Sequence, residues 1–278
     1  MDRRTYISLT ATTAIAGIAG CQTGDSDETE DGTPDETTVA DWRKWIPAEL
    51  VGEGSQVLML DTNRAKAELP ANTYEQFQIA QIANALGIEE SNIDRMTGVQ
   101  QGENASNIVL TGSYNPSEII DDLGTSESDI TEYSGYKILQ EQFAIGSDAI
   151  IVAQSYETLI DTKNGQKPYL GKNDDDWNQL LTSIQDSTLA VAAPGTIGDD
   201  PTIAADKSGV TIDAADGGGA TISIYVHYES ESAAEEAMDT AREEFVSGAS
   251  GTSDVDIQRF EREGNRIIVE GTTPNFDF

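Results

Sequence analysis

Apolar positions recur with a regular period only after residue 40. Residues 56–60, Gln-Val-Leu-Met-Leu, form an apolar run of strand length. Asn72-Thr73-Tyr74-Glu75 has capping-box spacing and predicts a helix with Asn72 as N-cap. That helix turns Phe77, Ile79, Ile82, Ala83 and Leu86 inward and stops at Gly87. Alternation over 93–99 and 107–112 predicts two strands around a polar turn at Gly102. Asn115-Pro116 starts a helix, since proline at the first helical position loses no hydrogen bond. Residues 136–140 and 149–153 read as a hairpin around Gly146-Ser147-Asp148, and 156–163 as a short helix ending near Gly165. Trp177, Leu180, Leu181 and Ile184 are spaced to share one helix face, and 188–193 reads as a strand.

The second half repeats this order. Residues 107–114 lie over 221–228 at a constant offset of 114, and 146–151 over 264–269 at an offset of 118. The helix after Asn115 corresponds to one near Ser232, where Ser232-Ala233-Ala234-Glu235 has capping-box spacing, and 188–193 takes the role of 57–60. The expected fold is α+β, with two tandem repeats, 41–172 and 173–278, each an antiparallel sheet with helices on one face.

Residues 1–20 follow a different rule. Asp2-Arg3-Arg4-Thr5-Tyr6-Ile7 precedes a mildly apolar run of 14 residues, 7–20, and Ile18-Ala19-Gly20-Cys21 closes it. A charged start, a short apolar stretch and small residues before a cleavage point make a secretory signal. The run is shorter than the ~20 residues of a membrane span, and the pair Arg3-Arg4 favours the twin-arginine route. The stretch resembles the signal of haloarchaeal twin-arginine lipoproteins, through Arg3-Arg4-Thr5-Tyr6-Ile7 and a lipobox at Ile18-Ala19-Gly20-Cys21. Ile18 departs from the commoner leucine, and the motif lacks the lysine frequent in bacteria. The resemblance implies that Cys21 becomes the mature N-terminus, carries a lipid and holds the protein on the extracellular face of the cell membrane. Cys21 is the single cysteine, so disulfides and dithiol chemistry are excluded.

Fifty acidic residues against 16 basic ones give a formal charge of -34. Such a chain repels nucleic acid. Self-repulsion disfavours its compact state at low salt, and molar salt shortens the Debye length to about 3 Å and screens it. Seven lysines among so many acids suit a salt-adapted protein. Residues 21–40 are acidic and lack apolar periodicity, which predicts a disordered tether.

Candidate chemistry is sparse. Trp42 and Trp45, beside Arg43 and Lys44, suit either a binding patch or a pin fixing the domain's start to its core, and the pin is expected. His227, the one histidine, shares a predicted strand face with Ser223 and Tyr225, opposite Ile222, Ile224 and Val226. A surface or interface position is expected for it, and one histidine cannot supply a zinc cluster. Asp174-Asp175-Asp176 and the stretch from Asp213 to Asp216 lack the spacing of a calcium loop. Ser134 and Lys137 have Ser-x-x-Lys spacing but enter a strand, where they face apart. Gly217-Gly218-Gly219 reads as a turn, and Asn104-Ala105-Ser106 is an N-glycosylation sequon.

The expected function is a membrane-anchored, non-catalytic interaction or structural module at the cell surface. It would dock to an envelope protein or its own kind through a patch drawn from Trp42, Trp45, Tyr225 and His227, with no cofactor or metal. One alternative is a cell-surface receptor with a small molecule or ion in the cleft between repeats. Another is an acid-pair hydrolase with carboxylates about 5–10 Å apart.

Overall fold

The computed structural model describes residues 41–101, 105–195, 205–215, 219–247 and 255–274. Arg3, Arg4, Cys21, Asn104, Gly217 and Gly218 lie outside the described residues, as do the expected signal and tether.

A short 3-10 turn, Asp41–Trp45, leads into β1 (Ser55–Asp61) and three short helices, α1 (Thr62–Glu68), α2 (Ala71–Gln76) and α3 (Ile79–Leu86). β2 (Ile93–Gln101) and β3 (Ala105–Gly112) follow, then α4 (Pro116–Leu123). Four strands come next: β4 (Ile130–Tyr133), β5 (Tyr136–Leu139), β6 (Phe143–Ile145) and β7 (Ala149–Val152). α5 (Tyr156–Lys163) and α6 (Asp175–Ile184) lead to β8 (Leu189–Pro194). β9 (Lys207–Ala214), β10 (Ala220–His227), α7 (Glu231–Ser247), β11 (Asp256–Glu263) and β12 (Arg266–Thr273) complete the order.

Among the described residues all strands join one 12-stranded antiparallel sheet, in the order β11-β12-β10-β9-β8-β1-β2-β3-β7-β6-β5-β4. The α+β class and antiparallel pairing agree with expectation, but the strands make a single sheet, continuous through the β1–β8 pair. Helices cover both faces rather than one. Leu60, Leu110, Ile150, Ile212, Ile224 and Val269 pack on one face with residues of α1, α3, α4 and α7. Val57, Met59, Val99, Ala190 and Ala192 pack on the other with Trp42, Ile46 and the α6 stripe Trp177, Leu180, Leu181 and Ile184. Val109, Ile138 and Ile151 meet Trp45 and the α5 residues Leu159 and Ile160 on that same second side. The cause is topological. The chain must return from β7 past β3, β2 and β1 to reach β8, and α1–α4 already occupy the first face.

Local differences have local causes. The helix expected from Asn72 through Leu86 is two helices, broken at Gln78, whose φ of 56 is left-handed. Pro70, not Asn72, precedes its first turn. Ser230 rather than Ser232 caps α7, its Oγ accepting from Ala233 N at 3.2 Å. The hairpin around Gly146 joins β6 to β7, so 136–140 and 149–153 are not direct partners. Asn115 does cap α4, its side chain accepting from Ser117 N. Among the described residues no helix is long and apolar enough to cross a membrane.

Candidate functional site

Strand β9 carries an ionic cluster at each end. Near its C-terminal end, Asp213 meets α1. Asp61 caps that helix by accepting from Arg64 N at 3.0 Å, and the Arg64 side chain reaches the sheet at Asp213. All three guanidinium nitrogens are used: Nε to Glu68 at 3.2 Å, one terminal nitrogen to Asp213 at 2.9 Å, the other to the Asp186 carbonyl. Thr188 Oγ1 lies 2.5 Å from Glu68 Oε2 and 3.0 Å from Asp213 Oδ1, placing the two carboxylates one hydroxyl apart. Burial alone would raise the Glu68 carboxyl, but hydrogen bonds from Thr188 and Arg64 outweigh it and hold it below the ordinary range. The pair is close enough for the expected acid-pair chemistry, and Glu68, held below its ordinary range, is not the protonated partner that such chemistry needs. Through Arg64 and Thr188 the cluster also clamps α1 to β8 and β9.

At the other end, Lys207 is only 10% exposed and lies among three aspartates. Its Nζ is 2.6 Å from Asp206 and 3.6 Å from both Asp174 and Asp176. Asp174 caps α6, accepting from Trp177 N at 3.0 Å, and so fixes the helix where the lysine reaches it. Burial would lower the ammonium's pKa, but Asp206, Asp174 and Asp176 outweigh it and raise it.

His227 lies beside Lys207. It closes β10, paired across the ladder with Lys207 of β9 on one side and Arg266 of β12 on the other. Its ring is on the α6 side of the sheet, because Ile222, Ile224 and Val226 take the opposite side. Leu180 of α6 comes so close that Gly209, next in that row pattern, has no room for a side chain: an added Cβ would meet Leu180 at 2.7 Å. His227 is 0% exposed, and neither ring nitrogen has a hydrogen-bond partner. Burial first, then the charges of Arg266 and Lys207, push its pKa down to about 4 against the opposing Asp176 and Asp206. The surface or interface position expected for this histidine is therefore corrected to a fully covered one. The sequence shows its strand face but not the helix that covers it, which arrives from residues 175–184.

The expected docking patch is also corrected. Trp42 and Trp45 are 1% and 3% exposed, as a pin requires, and Tyr225 is half-buried. Arg43 is 1% exposed, bonded to Asn178 at 2.6 Å and Thr182 at 3.2 Å of α6. The seam where a ligand cleft was expected is filled by Met59, Leu60, Ala190 and Ala192. Ser134 sits in a turn with φ 49, and Lys137 pairs with Glu132 across the sheet. Asp174–Asp176 form a helix start, and among the described residues no group of three or more His, Cys, Asp or Glu is arranged to hold a metal ion. Comparison with family models, curated proteins and solved structures returns no match.

Proposed function

We propose that the chain is a non-catalytic interaction or structural module, exported by way of Arg3-Arg4 and held at the extracellular face of the membrane by a lipid on Cys21. Residues 21–40 are its tether and the body begins at Asp41. The observation that carries the non-catalytic reading is the state of the charged clusters. Glu68 and Asp213 are held by Arg64 and Thr188, and Lys207 is held by three aspartates, so both clusters fasten helices to the sheet. The acid excess remains outside, which suits a body working in concentrated salt with an envelope protein as partner.

The body is built from two copies of one unit. Moving outward from the β1–β8 seam, β1-β2-β3-β7 is matched by β8-β9-β10-β12. The pairing Thr97↔Val109 has its counterpart in Thr211↔Ser223, both residues shifted by 114. Tyr114 N donates to Ser147 O at 3.0 Å, and Tyr228 N to Asn265 O at 2.9 Å. Both tyrosine hydroxyls are buried without a hydrogen-bond partner, and burial raises both pKa values. These parallels support the duplication.

Crosslinking in intact cells at native salt, read by mass spectrometry, tests the function. The expected result is a reproducible envelope partner linked to residues beyond 40, with an N-terminal peptide starting at a lipid-bearing Cys21. Links confined within the chain, or an unprocessed Met1, would contradict it.

A further inference from the structure

His227 is enclosed by groups from three sides. Lys207 and Arg266 flank it within the sheet, and Asp206, just before β9, donates its backbone N–H to the His227 carbonyl at 2.8 Å. Above it lies the start of α6, with Asp174 and Asp176. Those aspartates already serve Lys207, and Asp176 also accepts from Asn265 at 3.3 Å. Arg266 is engaged by Glu263 and by Ser183 of α6 at 3.3 Å. The helix is thus tied down through Lys207 at its first turn and Arg266 near its last, with the imidazole between the two ties.

A proton on His227 would make three cations in one row, with no acceptor for either ring N–H. A buried charge without a partner is relieved by moving it to water. The helix tied to both of the ring's neighbours is α6, through Lys207 and Arg266, and its contacts form a core separate from that under α1–α4 and α7. We propose that His227 is an acid-sensitive latch: proton uptake by its imidazole releases α6 from the sheet and bares the apolar stripe Trp177, Leu180, Leu181 and Ile184 together with Met59, Ala190 and Ala192. The closed form holds a neutral ring, so its stability is full above the histidine's unfolded value of roughly 6.5 and falls as pH drops toward the folded value of about 4. Asp174, Asp176 and Asp206 are acids in their own right and hold Lys207 at the same site. A test must therefore separate the histidine from the aspartates. The proposal stands independently of export and lipid attachment.

The test is hydrogen exchange, followed by mass spectrometry, on the full chain in molar salt between pH 7 and pH 4.5, corrected for intrinsic rates. For the parent, the opening of peptides spanning 174–185 should increase by up to about tenfold per pH unit in this window, as expected for one linked proton. Peptides from β2 and β3 should change less than about twofold. In His227→Phe, which removes the titrating ring, the α6 response should vanish above pH 5. Should that variant not fold, His227→Gln serves the same comparison. Equal acid opening of α6 in parent and variant would assign the effect to the aspartates and overturn the latch. Uniform opening of the whole sheet, or no opening of α6, would overturn it as well.

Discussion

The two ends of β9 hold clusters of similar composition and opposite completeness. At Asp213 the helix α1 is capped by Asp61, and every nitrogen of the Arg64 guanidinium has an acceptor. At Lys207 the helix α6 is capped by Asp174, and the ammonium has three carboxylates. Only the second cluster contains a side chain with nothing to bond to, His227. A saturated ionic cluster contributes stability over a wide pH range, because each charge is matched in place. A cluster built around an orphaned, titratable ring is stable only while that ring stays neutral. The difference makes α1 a fixed clamp and α6 a conditional one.

Four changes would break or sharpen this contrast. The largest effect is expected from acid: with a folded pKa of about 4, His227 removes about 3 kcal/mol of stability as pH falls from ~6.5. Denaturant unfolding of parent and His227→Phe at pH 7 and pH 4.5 checks it. The variant should lose less and, with two orphaned nitrogens gone, be no weaker at pH 7. Next comes Lys207→Met, which leaves three aspartates together beneath α6. Denaturant unfolding at pH 7 should show a loss of about 2 kcal/mol, smaller in molar salt, which screens the repulsion among them. Arg64→Ala should cost about 1.5 kcal/mol, since Glu68 and Asp213 then repel across Thr188. That loss should shrink in molar salt, which a salt series of melting curves would read. The smallest pair is Asp61→Ala and Asp174→Ala. Each removes a helix cap worth about 1 kcal/mol, but only the second should raise hydrogen exchange in α6.

Much of the frame was legible before the structure. The α6 stripe, the α5 boundaries, the cap at Asn115 and the facing of His227 with Tyr225 all follow from local period and spacing. What escaped has physical reasons. The seven residues of α1, Thr62–Glu68, bury only Thr62 and Ala65, so no apolar stripe marks them. β9 begins Lys207-Ser208-Gly209, polar and small residues whose burial depends on α6 above them. The break at Gln78 needs a left-handed backbone at a residue type that does not announce it. For the site, the sequence supplied the residues but not their covering. Nothing near position 227 says that a helix from 175–184 will close over it, or that the strand pairing will set Lys207 and Arg266 on either side. Long-range packing decides which polar residues become buried, and it is written in no local window.

The most direct test is an NMR titration of the chain's one histidine, whose ring resonances can be followed without assignment ambiguity. In the folded protein at molar salt, the account predicts an imidazole that stays neutral through pH 5 and titrates at about 4. A midpoint near the ordinary ~6.5 would mean that the ring is solvated or partnered, and the conditional clamp would have no basis.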